Sequence, residues 1–290
     1  MPEGDSVFRF AARLQAALAG KVVLAARSHG PGPVPQVHRI VGASCTGVRA
    51  RGKNLLISFD NGLALRGHLR MYGTWKVYAL GHPWDRPENQ ARLVLEVHDA
   101  VVANFSAPVI ELIEERALDA YAPVAGLGPD LLSDDFDLAE ACRRLREPSR
   151  VGLTIGDAIM DQRALAGVGN IWKHEALFHC GINPWRLTGE LDEGTLRSVV
   201  LKARALLRAS AGKENDLGLR RRPDMYVYMR AGQACRRCST RLSSARQGVD
   251  IRFTTWCPRC QPATAEQVNL PAGRSSPRSL PPYGSGQGLP

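Results

Sequence analysis

Two features of this 290-residue chain place chemically capable side chains at usable spacings. The first is Cys235-Arg-Arg-Cys238 followed by Cys257-Pro-Arg-Cys260, with eighteen residues between the two pairs. Such knuckles can offer four thiolates to one tetrahedral zinc. A site filled by four protein ligands leaves no position open for a substrate, so the expected cofactor is a single structural Zn2+. The chain has seven cysteines, an odd number. In a reducing compartment that pattern favours metal over disulfides. Cys45, Cys142 and Cys180 stand alone and read as small buried apolar residues.

The second feature is the opening Met1-Pro2-Glu3-Gly4. Removal of Met1 would expose Pro2 as a secondary amine. An α-amine has a pKa near about 8, against about 10.4 for lysine, so much more of it is neutral at physiological pH. A neutral amine can attack the anomeric carbon of a sugar and form an iminium, and Glu3 beside it can pass protons. The same residues also suit an ordinary helix start, with Pro in the first turn and Glu near the positive end of the dipole. On their own they leave both readings open.

Charge narrows the partner. Residues 201–260 carry fourteen Lys or Arg against four acids, an excess equal to the whole formal net charge of +10. A basic segment of this kind is the footprint of a polyanion, or else a solubilising surface. No apolar run of about 18 residues could span a membrane. Acidic Glu3 and Asp5 stand where a signal peptide would be basic, so a cytoplasmic protein is expected.

The elements that must position these residues change along the chain. Asp5–Ala19 reads as a helix, with Val7, Ala11, Leu14 and Leu18 on one face and Gly20 to stop it. From Lys21 to about Leu112 the pattern is β. Asn54–Asp60 and Leu63–Leu69 flank an Asp-Asn-Gly hairpin signal, and Arg92–Val97 and Val101–Phe105 form a second pair. The Pro- and Gly-bearing stretch at Ala122–Ser133 marks a boundary. Helices are then expected at Leu138–Arg146, Thr154–Met160, Ile171–Phe178 and Asp192–Ser210. Between the cysteine pairs, Ser244–Gly248 reads as a turn and Val249–Trp256 as alternating strand. The Pro-, Gly- and Ser-rich end reads as a disordered tail.

The segments MPEGDSV, RGKNLLISF with Lys53, GHLRMYGTW, DQRALAGVGNIWKHEALF and WCPRCQ occur in an order that resembles the formamidopyrimidine-DNA glycosylase and endonuclease VIII family, over about residues 2–261. The resemblance implies an α+β multidomain fold: an N-terminal antiparallel β-sandwich with an N-terminal helix, then a helix-two-turn-helix module and a zinc-finger hairpin. The expected domains are 1–121, the catalytic sandwich; 122–225, a linker and the helix-two-turn-helix domain; 226–261, the four-cysteine finger; and 262–290, the tail.

By the same resemblance Pro2 is the Schiff-base nucleophile and Glu3 its acid-base partner. Lys53, which alone reads as an exposed lysine, would reach a phosphate or assist elimination. Arg252 is similar to the finger arginine that contacts phosphates, for which a guanidinium fork is well shaped. Arg70, Met71 and Tyr72 resemble the triplet that fills the void left by a flipped nucleotide; the plain alternative is strand residues packing a core. Asn170 opens a helix whose N-terminal amides suit phosphate, or simply caps it. Glu175 matches an acidic position to which no chemical role is assigned.

The implied activity is base excision of oxidised bases, then strand cleavage at the abasic site, on damaged double-stranded DNA and on single-stranded or bubble DNA, by a monomer with no membrane association. Gly4 and Tyr72 favour the endonuclease VIII branch and hence oxidised pyrimidines. An 8-oxoguanine-directed enzyme and a non-catalytic zinc-finger DNA-binding protein are the alternatives. Two departures stand out. Arg70 occupies a position where endonuclease VIII commonly has Gln, and Gly126 stands where the family often has an arginine, a contact that Arg220–Arg222 could replace.

Overall fold

The computed structural model describes residues 2–30, 34–212 and 225–263. Met1, the charged stretch 213–224 with Arg220–Arg222, and all but the first two residues of the expected tail lie outside the described residues. The chain divides into two compact units, Met1–Phe136 with Leu207–Arg222 and Asp137–Leu206 with Pro223–Pro290.

The first unit starts with helix α1 (Gly4–Leu18). Val7, Phe10, Ala11, Leu14 and Leu18 are buried along it, the stripe expected from 3.6-residue spacing. The chain then leaves the helix through Gly20 at φ +74°, a conformation that costs glycine little. Eight strands follow: β1 (Ala25–Ser28), β2 (Cys45–Arg51), β3 (Asn54–Phe59), β4 (Leu63–His68), β5 (Thr74–Ala79), β6 (Ala91–Glu96), β7 (Ala100–Phe105) and β8 (Val109–Glu114). They form two antiparallel sheets, ordered β1-β6-β7-β5 and β2-β3-β4-β8. One buried cluster joins α1 to residues of both sheets, among them Leu55, Ile57, Leu65, Trp75, Leu93 and Val102.

Strands β3 and β7 are buried at every position, because their outer faces are covered as well. Leu118 packs against Leu56 and Ala64 with Val124 of the short helix α2 (Ala122–Ala125) beside them. On the other sheet, Trp84 stacks on Tyr78 with ring centroids 4.6 Å apart and meets Phe105 edge-on.

The β2–β3 turn presents Lys53. It is a two-residue loop with Gly52 at φ +59° in its first position, where a type II′ hairpin turn places glycine. Its backbone is held from two sides. Asp130 is buried and accepts the Gly52 N–H (2.5 Å) on one carboxylate oxygen and the Leu132 N–H (3.0 Å) on the other. Asn54 donates to the Arg51 carbonyl and accepts from the buried Arg66 guanidinium (2.9 Å), which in turn pairs with Glu111 (2.6 Å). Glu111 also accepts from the Tyr121 hydroxyl.

The second unit holds α3 (Leu138–Leu145), α4 (Pro148–Val151), α5 (Ile155–Ala158), α6 (Asn170–Cys180) and most of α7 (Glu193–Ala211). Helix α5 is shorter than the expected Thr154–Met160: Thr154 caps its start by accepting the Asp157 N–H, and Ile159 is already the C-cap. The hairpin between the cysteine pairs also differs from expectation. Ser243–Gln247 is strand β9, paired with β10 (Arg252–Trp256), and the reversal falls between them, with Gly248 at φ +73° and Ile251 at φ +50°. Burial of the Gln247 side chain commits that end of β9 to the core, which serine-rich composition does not reveal. Of the three lone cysteines, Cys45 and Cys142 are buried, while Cys180 is only partly so and faces the Ser198 carbonyl.

Asp130→Ala would strand two buried amides at about 1–3 kcal/mol each. Urea denaturation is expected to show a loss of about 2–6 kcal/mol; a loss below about 0.5 kcal/mol, the scale of a surface change, would mean the Lys53 turn holds itself.

Candidate active site and nucleic-acid interface

In the first unit Pro2 and Glu3 are both buried at the head of α1. Glu3 is the N-cap residue, and its carbonyl accepts the Ser6 and Val7 amides at 3.0 Å. Two residues on, Asp5 accepts from the Ser210 hydroxyl (2.6 Å) and from Arg9, which also donates to the Ser210 carbonyl. Helix α1 packs directly on β2 and β3, the strands whose turn carries Lys53.

Sequence reasoning missed His68. It ends β4 opposite Asn54, next in chain to Lys53. Burial, then the nearby charges of Arg70, Arg66 and Lys53, push its pKa down to about 3. The imidazole is therefore neutral at physiological pH and adds no charge to a cluster already carrying three cations. The signal for it was the basic company it keeps in GHLRM, which is informative only once the β3–β4 register is known.

Arg70, Met71 and Tyr72 form the loop between β4 and β5. Met71 is 49% and Tyr72 73% exposed, so neither packs the core. The loop is pinched at its base, where the Gly73 amide donates to the Leu69 carbonyl (2.9 Å). A Cβ at Gly73 would stand 2.7 Å from that same oxygen.

In the second unit α6 opens at Asn170, with Gly169 rather than Asn170 in the cap position and no side-chain cap. The Asn170 side chain donates to the Phe253 carbonyl (3.4 Å), and its own oxygen is buried without a hydrogen-bond partner among the described residues. Three consecutive residues further along α6, Lys173, His174 and Glu175, fasten the cysteine hairpin. Lys173, almost wholly buried, donates to Thr254 (2.7 Å) and Gln247 (3.4 Å), and Gln247 donates onward to Thr154 and the Pro184 carbonyl. His174 accepts the Thr255 N–H on Nε2 (2.8 Å) and bonds the Asn170 carbonyl through Nδ1. Burial, then Lys173, push its pKa down to about 3, so the accepting nitrogen stays available. Glu175 accepts three consecutive amides, from Tyr226, Val227 and Tyr228, at 2.9–3.0 Å. Glu175 thus has a geometric role that the sequence did not supply.

Arg252 stands at the start of β10, and its Nε and Nη2 both reach Asp250 Oδ2, at 3.1 and 2.7 Å. At the base of the hairpin the sulfurs of Cys235, Cys238, Cys257 and Cys260 all lie within 4.8 Å of one another. Three of the separations are 3.4, 3.5 and 4.0 Å. Four sulfurs bonded to one zinc at about 2.3 Å would sit about 3.8 Å apart, so the donor set fits. Hydrogen bonds to Thr240 pull the Cys238 thiol down to about 6, while burial, then the neighbouring sulfurs, push Cys260 up to about 12. Four sulfurs this close to one another form a donor set that a single cation would hold together.

A two-sheet sandwich headed by a buried Pro-Glu is followed along the chain by a helical unit with a four-cysteine hairpin. Residues 1–109 match the formamidopyrimidine-DNA glycosylase N-terminal domain and residues 127–217 the H2TH domain of the same proteins. The chain belongs to the formamidopyrimidine-DNA glycosylase family, within which its relatives include endonuclease 8 proteins. It is 38% identical over 284 residues to a probable endonuclease 8 2 of Streptomyces coelicolor, covering 96% of this chain and 99% of that one. It is 37% identical over 268 residues to the DNA-(apurinic or apyrimidinic site) lyase Nei2 of Mycolicibacterium smegmatis, covering 91% and 100%. The fold matches that of the Lactococcus lactis formamidopyrimidine-DNA glycosylase bound to DNA containing an AP site, with a TM-score of 0.76 at 21% identity, over 90% of this chain and 100% of that one. Among the described residues no helix is long and apolar enough to cross a membrane.

Proposed function

We propose that this chain is a bifunctional DNA glycosylase and abasic-site lyase whose nucleophile is the Pro2 amine. The observation that carries this reading is the buried Pro2-Glu3 pair heading α1, inside a stretch that matches the family's N-terminal domain. The amine lone pair forms a bond to C1′ of the damaged nucleotide as the glycosidic bond breaks, and the base leaves with a proton. Opening of the sugar ring gives an iminium. Loss of a C2′ proton then expels the 3′ phosphate and nicks the strand. Glu3 is the group placed to give and take these protons. Lys53 meets a phosphate or assists elimination. Arg252 and Asn170 hold phosphates, and Arg70, Met71 and Tyr72 fill the vacated stack.

Cys235, Cys238, Cys257 and Cys260 would hold one zinc, which supplies a structural cross-link and no chemistry. The partner is damaged duplex DNA, engaged by a monomer. Single-stranded or bubble DNA is a further substrate, since a base that is already unstacked costs less to extrude. Metal analysis is expected to find about one zinc per chain, and Cys257→Ser should lose it; full zinc content in that variant would place the ion elsewhere.

The endonuclease 8 relatives, with Gly4 and the exposed Met71 and Tyr72, support oxidised pyrimidines as the preferred lesions. Single-turnover excision should be faster for 5-hydroxyuracil than for 8-oxoguanine opposite cytosine. The reverse order would move the chain to the purine-directed branch and leave the amine chemistry standing.

The amine itself is tested by borohydride trapping on an abasic duplex. The adduct should map to Pro2 and should vanish when an N-terminal tag is retained. Trapping by the tagged protein, or an adduct on Lys53, would overturn the assignment.

A further inference from the structure

The zinc-hairpin strand β10 carries an aromatic side chain that the proposed chemistry does not use. Phe253 is 63% exposed. Burial of an aromatic side chain is favourable, yet the hairpin leaves this one in solvent while burying its polar neighbours. Thr254 beside it is fully buried, and so is Gln247, opposite Arg252. The backbone is therefore fixed where the ring emerges.

What surrounds the ring is cationic and suited to phosphate. Its cross-strand partner is Arg246, whose guanidinium lies 5.5 Å from the ring centroid. Arg252 precedes it in the strand. The Phe253 carbonyl accepts from Asn170, the first residue of α6. A helix N-terminus and a guanidinium favour phosphate, and an aromatic face favours a nucleobase. Together these are the parts of a nucleotide site. Among the described residues, Val249 and Ile251 are the exposed aliphatic side chains of the same hairpin.

We propose that Phe253, with Arg246 beside it across the hairpin, is a stacking platform for an unpaired nucleobase, formed where the hairpin strand meets the start of α6. Bases inside an intact duplex already stack on their neighbours, so the platform serves single strands, bulges and bases whose partner has been displaced. The inference rests on the DNA-glycosylase reading and deepens it by adding a preference for unpaired structure, carried by a residue remote in sequence from Pro2.

The test uses the full-length protein and fluorescence anisotropy with two labelled probes: a single-stranded oligodeoxynucleotide and a fully paired duplex of equal length. Phe253→Ala should weaken binding to the single strand about tenfold and to the duplex by less than about twofold, and Phe253→Trp should restore it. Arg252→Ala, as the phosphate control, should weaken both probes. Unchanged single-strand binding by Phe253→Ala, with Arg252→Ala weakened, refutes the platform and leaves the DNA reading intact. Equal losses on both probes would make Phe253 a backbone contact and also refute stacking. No change in either variant would remove the hairpin from the DNA interface altogether. Phe253 is exposed, so loss of folding is not the expected outcome, and thermal denaturation of each variant checks this.

Discussion

Each unit of this protein carries a basic residue on a β-hairpin, Lys53 in the β2–β3 turn and Arg252 at the start of β10, and buried polar side chains from elsewhere in the same unit hold both hairpins. In both, the holding groups are buried side chains that hydrogen-bond backbone amides or neighbouring polar side chains. In the first unit Asp130 accepts from Gly52 and Leu132, and the Asn54–Arg66–Glu111 chain steadies the other side of the Lys53 turn. In the second, Glu175 takes three amides ahead of the first cysteine pair, and Lys173 and His174 take hold of β9 and β10. An unsatisfied buried amide is costly, so each anchor fixes one geometry rather than a range of them. A reaction that needs an amine, a proton carrier and phosphate contacts in register depends on this kind of support.

Electrostatics follows from the same burial. His68 and His174 are both held neutral, one beside Lys53, Arg66 and Arg70, the other beside Lys173. A protonated imidazole at either place would repel cations already in position. Positive charge is instead carried by lysine and arginine, whose charge does not switch near neutrality. The binding surfaces therefore keep their sign across the physiological range.

Much of the architecture was legible because the patterns were strong. The α1 stripe, the Asp60-Asn61-Gly62 hairpin and the two Cys-x-x-Cys pairs each specify their element locally, and the cysteines do cluster. The hairpin between them was misjudged by about half its length, since Ser243–Gln247 has turn-like composition and becomes strand through burial of Gln247. The anchors were not legible. Asp130 and Gly52 lie 78 residues apart in sequence, and nothing local says that one carboxylate will meet that amide. Glu175 was singled out without a role for the same reason. His68 gains its meaning only from the register that sets it beside Asn54. Long-range polar satisfaction decides these positions, and no hydrophobic period encodes it.

The pairing of Arg252 with Asp250 has a consequence for how an enzyme of this kind would search. In the unbound protein the guanidinium already holds an anion across two nitrogens, so a passing phosphate must exchange with a carboxylate instead of filling a vacancy. Were Arg252 to meet phosphate as proposed, the net gain from any one casual encounter would be small and residence on undamaged DNA short. Its guanidinium would reach the phosphate with part of its rotational freedom already surrendered. Tight capture would then wait for a backbone bent so that its phosphate met both nitrogens together, and the hairpin would act as a detent that slips along regular duplex and catches on distorted duplex.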